Sequence, residues 1–376
     1  MRVLFVQVTS KEGVKGRFAS LGLGHLAAVL DKEGIGNKII SCCDEFDLRR
    51  EIFEYKPTVL ALSSVTEFWQ TAIDFARVGY QLKLRVIVGG HHISGDPSQL
   101  HPFMNVGVVG EGEEVLINVL RDDVKGIVVG NKVKDLGSLP HPKLEAGDNH
   151  IMTSRGCPYK CSFCSSSKVW DGYRTFPINW VLDEIHNIQQ LNPDNEWIYV
   201  WDDLFAADDN RLADLHMAMV RSDLFYGGIK FAIHARVETL NPVTIGMLNL
   251  MDVKLVGIGV ESGNPDIMCK LKGGKASPEM VKNAIKMLKK AGIKYYCSFI
   301  LGHPDETTEQ LNDTVRFIKR NDIPFFDVNL LTAYPGNDFY GKELYHKPET
   351  VKTYRKLKRL RTRRRITNFH RHPRWL

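Results

Sequence analysis

Nowhere does the chain carry an uninterrupted apolar run near the roughly 20 residues that a membrane-spanning helix needs. The opening stretch 1–8 is a short Arg-containing, strand-like run and lacks the pattern of a cleavable signal. Cysteine is sparse: seven in 376 residues, an odd number, which excludes a secreted disulfide scaffold and points to a reducing, cytoplasmic setting. Internal repeats and low-complexity tracts are absent apart from one basic stretch. A 43% hydrophobic and 25% charged composition excludes a wholly disordered or fibrous chain. Acid is missing from residues 351–376, which hold eleven of the 50 Lys and Arg. The other 39 face 44 acidic residues, so the net charge of +6 belongs to the C-terminal segment and not to residues 1–350.

What is present reads as alternating strands and helices. Short apolar runs at 3–8, 37–41, 59–63, 85–89 and 106–109 are separated by helical periodicity, as at 26–32 and 72–84. This predicts an α/β, doubly wound parallel sheet over residues 1–135. Its strand ends collect Ser63, Ser64 and Thr66, then Gly89, Gly90 and His91, then Gly110, Glu111 and Gly112. In such sheets ligands bind beyond the carboxyl ends of the strands. Residues 136–148, with two prolines and two glycines, read as a linker. A second series of runs follows at 151–154, 197–201, 230–235, 255–259, 294–300 and 326–331, with helical patterns at 180–190, 279–291 and 308–320. Six such units are too few for a closed eight-fold barrel and predict an open, partial (β/α)6 barrel over 149–335. Residues 336–376 form a basic extension.

Just after the first strand of the second series comes Arg155-Gly156-Cys157-Pro158-Tyr159-Lys160-Cys161-Ser162-Phe163-Cys164. Three thiolates on one short loop make a soft site suited to an iron–sulfur cluster or to zinc. Zinc would want a fourth ligand, for which His150 is the local candidate. Cys42, Cys43, Cys269 and Cys297 lack ligand spacing, and Cys297 reads as a small buried hydrophobe.

The C-x3-C-x2-C spacing, with aromatic Phe163 before the third cysteine, resembles the radical S-adenosylmethionine (radical SAM) enzymes. The resemblance implies a [4Fe–4S] cluster held by Cys157, Cys161 and Cys164, with one iron left to chelate SAM and an electron passed to its sulfonium to give a 5′-deoxyadenosyl radical. It also implies SAM contacts from Phe163, from Asp202 and Asp203 in place of a Gly-Gly-Glu element, and from Arg236. Further contacts are implied from Glu261 and Ser262 in Gly259-Val260-Glu261-Ser262-Gly263, and from Ile300 and Gly302 in Ser298–Glu306. Read without the family, Asp202-Asp203 would be a helix cap, Arg236 a surface ion pair and 259–263 a polar turn.

The layout of doubly wound domain, Pro-containing linker and barrel is similar to the cobalamin-dependent branch, as are Leu21–Leu30, Val88-Gly89-Gly90-His91-His92 and Val109–Glu114. This implies a corrin site of Ser63, Ser64, Thr66, Gly89, Gly90, His91, Gly110, Glu111 and Gly112. No Asp-x-His-x-x-Gly motif follows the first strand, so no histidine of that kind is expected beneath the cobalt. The implied activity is methylation of an unactivated carbon of a small-molecule or peptide substrate, with an external electron donor such as flavodoxin or ferredoxin. No catalytic residue is singled out. A cobalamin-independent rearrangement, cyclisation or oxidation is the alternative. From another class comes a nucleic-acid-binding iron–sulfur protein, against which the elements at Glu261-Ser262 and 298–306 weigh. The basic extension attracts an anionic partner (RNA, lipid headgroup or phosphorylated substrate) or is a solvated, frayed helix.

Overall fold

The computed structural model describes residues 1–11, 20–170, 172–222 and 228–367, with side chains through residue 362. Arg363, Arg364, Arg365, Phe369 and Trp375 of the basic extension lie outside those side chains. The chain divides into two compact units, residues 1–156 with 165–195 and 334–336, and residues 157–164 with 196–333 and 337–376.

The first unit alternates β1 (Arg2–Val8), α1 (Leu21–Lys32), β2 (Gly36–Cys42), α2 (Glu45–Tyr55), β3 (Val59–Ser63), α3 (Trp69–Gln81), β4 (Arg85–Gly89), α4 (His91–Gly95), β5 (Val106–Gly110), α5 (Leu116–Arg121) and β6 (Gly126–Gly130). The six strands are parallel in the order β2-β1-β3-β4-β5-β6, so the winding direction switches between β1 and β3. Successive side chains of a strand point to opposite faces, and here both faces are apolar. Leu4, Val6, Leu60, Leu62, Val86 and Val88 meet α2 and α3 through Leu48, Ile52, Ala72 and Phe75. Val3, Phe5, Val59, Ala61 and Ile87 meet α1 and α5 through Leu23, Ala27, Leu30 and Val119.

Two details differ from expectation. Helix α1 starts five residues before the expected 26, because Ser20 caps it, accepting from Leu23 N at 3.4 Å, while two glycines blur its apolar period. Strand β6 was not expected: Gly126-Ile127-Val128-Val129-Gly130 is a glycine-bounded edge strand with Ile127 and Val129 exposed, so no buried run announces it.

The first unit continues with β7 (His150–Ile151), β8 (Ser154–Arg155), α6 (Ser166–Val169), β9 (Arg174–Thr175), antiparallel to β8, and α7 (Ile178–Leu191). The expected linker is fastened here. Trp180 Nε1 donates to Leu139 O at 3.1 Å, His25 Nδ1 lies 3.1 Å from Pro140 O, and His141 Nδ1 lies 2.7 Å from Glu184. The rings of His141 and Trp180 stack at 4.4 Å. Strand and helix signals after residue 149 thus do not all fold with the second unit.

The second unit lays β14 (Phe326–Leu330), β13 (Lys294–Leu301), β12 (Val253–Glu261), β11 (Lys230–Arg236) and β10 (Trp197–Val200) side by side in that order, all parallel. Its helices are α8 (Asp209–Arg221), α9 (Pro242–Leu250), α10 (Pro265–Lys272), α11 (Pro278–Lys290), α12 (Thr308–Arg320) and α13 (Pro348–Thr367). Three of them open on a polar cap followed by proline: Asn241-Pro242, Asn264-Pro265 and Ser277-Pro278. Proline fits the first helical position because its missing N–H has no partner there anyway. Thr307 and Gln310 form a reciprocal capping box at α12. Cys297 is fully buried in β13, as expected of a small apolar side chain. Over its described residues the basic extension is docked: α13 buries Leu357 completely and ties Lys358 and Arg361 to Asp327 at 3.4 and 3.2 Å. No helix among the described residues is long and apolar enough to cross a membrane.

Candidate active site

In the second unit, the loop 157–164 is held by backbone bonds to two neighbours. Ser162 N donates to Leu271 O at the end of α10 at 2.9 Å, and Asp338 N donates to Ser162 O at 2.9 Å. Asn337 bridges Phe163 O (3.1 Å) and Thr332 O (2.9 Å), while the Phe163 ring packs with Ile300, Ile267, Leu271, Leu331 and Phe339. Cys164 N donates to Cys161 O at 3.1 Å, which curls the end of the loop. None of the three cysteines is in a disulfide, and all three are half-buried. Among the described residues no three His, Cys, Asp or Glu side chains close on a common point for an ion. The donor set nevertheless fits a soft metal cluster, because three unbridged thiols share one pinned loop and a cation stands beside them.

That cation is Arg236, at the carboxyl end of β11. Its Nη1 lies 2.6 Å from Cys161 Sγ, its Nη2 pairs with Glu238, and its guanidinium sits 3.9 Å above the Tyr159 ring. Arg236 is therefore a buried, triply held charge, not the surface ion pair it could have been. Burial pushes the Cys157 thiol up, and Asp203 and Cys161 push the same way, whereas Arg236 opposes them.

At the end of β12, Glu261 takes a left-handed backbone (φ +67°), and the β12–β13 register shifts between Gly259 and Glu261. Such a conformation costs a non-glycine residue about 1 kcal/mol or more and persists only where its surroundings impose it. Here Lys272 does so: buried with Glu261, its Nζ donates to Gly259 O at 2.7 Å and reaches Glu261 Oε1 at 3.4 Å. Burial still raises the Glu261 carboxyl above the ordinary range, with Lys272 opposing. Ser262 is fully buried and spends its hydroxyl on Thr314 and on Asn264 N, fixing the turn. The Gly302 N–H donates to Glu306 at 2.6 Å, and burial pushes Glu306 up to about 7. Asp202 is buried and Asp203 exposed at the end of β10. Neither caps the next helix, since Asp208 caps α8.

Expected contacts thus gather at the carboxyl ends of β10, β11, β12 and β13 in one unit. Sequence reasoning missed Glu238, Lys272 and Tyr159. For Glu238 the signal available was an opposite charge two residues beyond Arg236; Lys272 carried none.

The first unit holds a separate crevice of about 360 Å³ beyond the carboxyl ends of β1, β3, β4 and β5. Ser63, Ser64, Gly89, Gly90, His91, Gly110, Glu111 and Gly112 line it, but Thr66 does not. Thr66 is instead bonded to His92 Nδ1 at 3.1 Å, and His92 is buried and stacked on Trp69 at 4.2 Å. The glycines divide into two kinds. Gly90 (φ +99°) is demanded by the chain itself, because a Cβ there would meet Ser64 O at 2.7 Å. At Gly22 a Cβ would meet nothing within 4 Å, and at Gly89 only Val108 O at 3.8 Å, so these two leave open space for a ligand. At the crevice wall, buried Arg155 donates to Glu111 (3.0 Å) and Glu113 (2.6 Å), and Arg174 pairs with Glu111 as well. Glu111 thus lines the crevice with a carboxylate already committed. No local pattern announces this network, because its members lie up to 63 residues apart.

Comparison with known proteins agrees with this arrangement. The chain is 26% identical over 383 residues to an uncharacterized methyltransferase of Pyrococcus horikoshii, covering 89% of this chain and 82% of that one. It is 26% identical over 305 residues to the bacteriochlorophyllide d C-12(1)-methyltransferase of Chlorobaculum tepidum, covering 75% and 65%. The fold is shared with the radical SAM methyltransferase TsrM of Kitasatospora setae, solved with cobalamin and a [4Fe–4S] cluster bound. The TM-score is 0.75 at 16% identity, over 90% of this chain and 73% of that one. Residues 151–318, which include the cysteine loop, Arg236, Glu261 and Gly302, match the family model of the radical SAM superfamily.

Proposed function

We propose that the chain is a cobalamin-dependent radical SAM methyltransferase acting on an unactivated carbon. In this reading residues 1–135 form the corrin-binding domain, 136–148 the linker, 149–335 the catalytic domain and 336–376 a basic extension. The observation that carries it is the pairing, within one chain, of a pinned three-thiol loop beside a buried arginine with a glycine-opened crevice on a doubly wound sheet. Relatives and a structural neighbour described as methyltransferases support it.

When bound, the cluster supplies one electron to SAM and the corrin carries the methyl group. Cys157, Cys161 and Cys164 hold the cluster as thiolates, and Arg236 balances their charge from beside Cys161. Asp202 and Asp203 offer acidic partners for the ammonium of SAM. Lys272 holds Glu261 and its turn in place beside the buried Ser262, and Phe163, Ile300 and Gly302 supply an apolar wall and a fixed backbone. In the first unit Ser63, Ser64, Gly89, Gly90, His91, Gly110, Glu111 and Gly112 face the corrin, with Gly22 leaving room. Thr66 positions His92 and does not itself face the crevice. An external electron donor such as flavodoxin or ferredoxin, a small-molecule or peptide substrate, an anionic partner for the basic extension and a cytoplasmic location complete the reading.

Anaerobic reconstitution with iron, sulfide and hydroxocobalamin tests it. About four irons and one cobalamin should be retained per chain after desalting, given the stoichiometry of one cubane and one corrin. Zinc in place of iron, or no retained corrin, would overturn the cluster or the cobalamin assignment respectively.

A further inference from the structure

Helix α13 presents Lys352, Arg355, Lys356 and Arg359 as exposed residues. Their spacing of three, four and seven puts all four on one face. None of them makes an ion pair among the described residues, whereas Lys358 and Arg361, on another face, are both spent on Asp327. The stripe runs along a groove of about 930 Å³ between α12 and α13, and Lys319, exposed and unpaired at the end of α12, stands across from it. Five cations converging on one concavity, on a chain whose first 350 residues are net acidic, form a local field for phosphates.

We infer that this groove binds the sugar-phosphate backbone of single-stranded RNA. The stripe is about 10 Å long at 1.5 Å per residue, and with Lys319 across the groove it sets several cations against consecutive phosphates of one strand. Tyr345, beside the groove residue His346, is 78% exposed and offers a ring on which a base can stack. A membrane surface fits less well. An interfacial helix needs an apolar face free for the headgroups, and the apolar face of α13 is turned into the protein through Leu357. Single strands are also the ordinary state of RNA loops and ends, where such recognition takes place. The inference narrows the anionic partner proposed for the extension and is independent of the radical chemistry.

The test uses the full reconstituted chain and a fluorescent 20-residue oligo(U). Wild-type binding should weaken with salt with a log–log slope of about −2 to −3, and Arg355→Glu/Arg359→Glu should weaken it at least tenfold at low salt. The slope should shrink by about 0.7 for each cation removed. Lys289→Glu/Lys290→Glu, the same charge change on the exposed end of α11, should bind as wild type. If charge reversal unfolds α13 by circular dichroism, Lys352→Ala/Lys356→Ala replaces it, with a smaller loss expected. SAM cleavage should be unchanged in every variant. Equal losses in the α11 and α13 variants, undiminished binding by a folded stripe variant, or binding to anionic phosphatidylserine vesicles but not to oligo(U) would each overturn the inference.

Discussion

The two units use charge in opposite ways. In the first, Arg155, Glu111 and Glu113 at the crevice wall are spent on one another and on Arg174, and the uncharged surface offered to a ligand includes Gly22, Gly89, Ser63 and His91. In the second, charge stands at the cysteine loop and the β12 turn proposed to hold the cluster and SAM: Arg236 on Cys161, and Lys272 on Glu261 and the Gly259 carbonyl. A flat macrocycle asks for shape, which glycine supplies. A cluster of thiolates and a zwitterionic cosubstrate ask for paired charge, which must be buried to be strong and paired to be tolerated.

The largest contrast is expected from the residues proposed to hold each ligand. Replacing Cys157, Cys161 or Cys164 by Ala should abolish 5′-deoxyadenosine formation and lower the iron content while leaving cobalamin uptake intact. Gly22→Trp should do the reverse, blocking cobalamin and retaining iron, since the new side chain enters open space. Gly90→Trp would not be as clean, because its Cβ meets the Ser64 backbone before it meets any ligand.

Next in size is the buried ion pair. Lys272→Met leaves Glu261 buried without its cation and should destabilise the chain by about 3 kcal/mol, read as a shift in the denaturant midpoint. Ser63→Ala in the crevice should cost under about 0.5 kcal/mol.

Acid–base titration separates groups of opposite sign. Glu306 in the second unit is pushed up to about 7 by burial, so the folded chain binds its proton more tightly than the unfolded chain does. Its contribution is full below about 4.5 and is lost as pH rises through 7, a change of about 3 kcal/mol. Glu184 in the first unit, also raised to about 7 by burial, acts in the same direction. His25, held near 3 by burial and then by the charge of Arg155, favours the folded state fully above 6.5 and loses that as pH falls toward 3. Chemical denaturation across pH 4–8 should show Glu306→Gln flattening the alkaline limb and His25→Gln the acid limb.

Much of this architecture was legible because it rests on local pattern. The alternation of apolar runs foretold five of the six strands of the first sheet, and the cysteine spacing foretold the pinned loop. What escaped depends on distant partners. Gly126–Gly130 becomes a strand only because β5 is beside it. Lys272 reads as an ordinary basic residue at a helix end until α10 turns it onto Glu261. The docking of α13 escaped because Leu357, which anchors it, sits among cations. Thr66 was grouped with the crevice by proximity in sequence, but the turn after β3 aims it at His92.

The smallest effect is expected from removing residues 363–376. Leu357 and the Asp327 pairs all lie before the cut, so α13 should stay docked and 5′-deoxyadenosine formation should stay within about twofold of the full chain. A loss of that activity in a folded truncation would place those residues in the active site.

The central claim is that one chain both cleaves SAM reductively and passes a methyl group through a corrin. Incubating the cobalamin-loaded, reduced enzyme with methyl-deuterated SAM and a candidate substrate, and quantifying nucleoside products by mass spectrometry, tests it most directly. Both 5′-deoxyadenosine and S-adenosylhomocysteine should form, the latter only when cobalamin is bound and with the label retained on the corrin or the product. Formation of 5′-deoxyadenosine alone, at a rate indifferent to cobalamin, would contradict it.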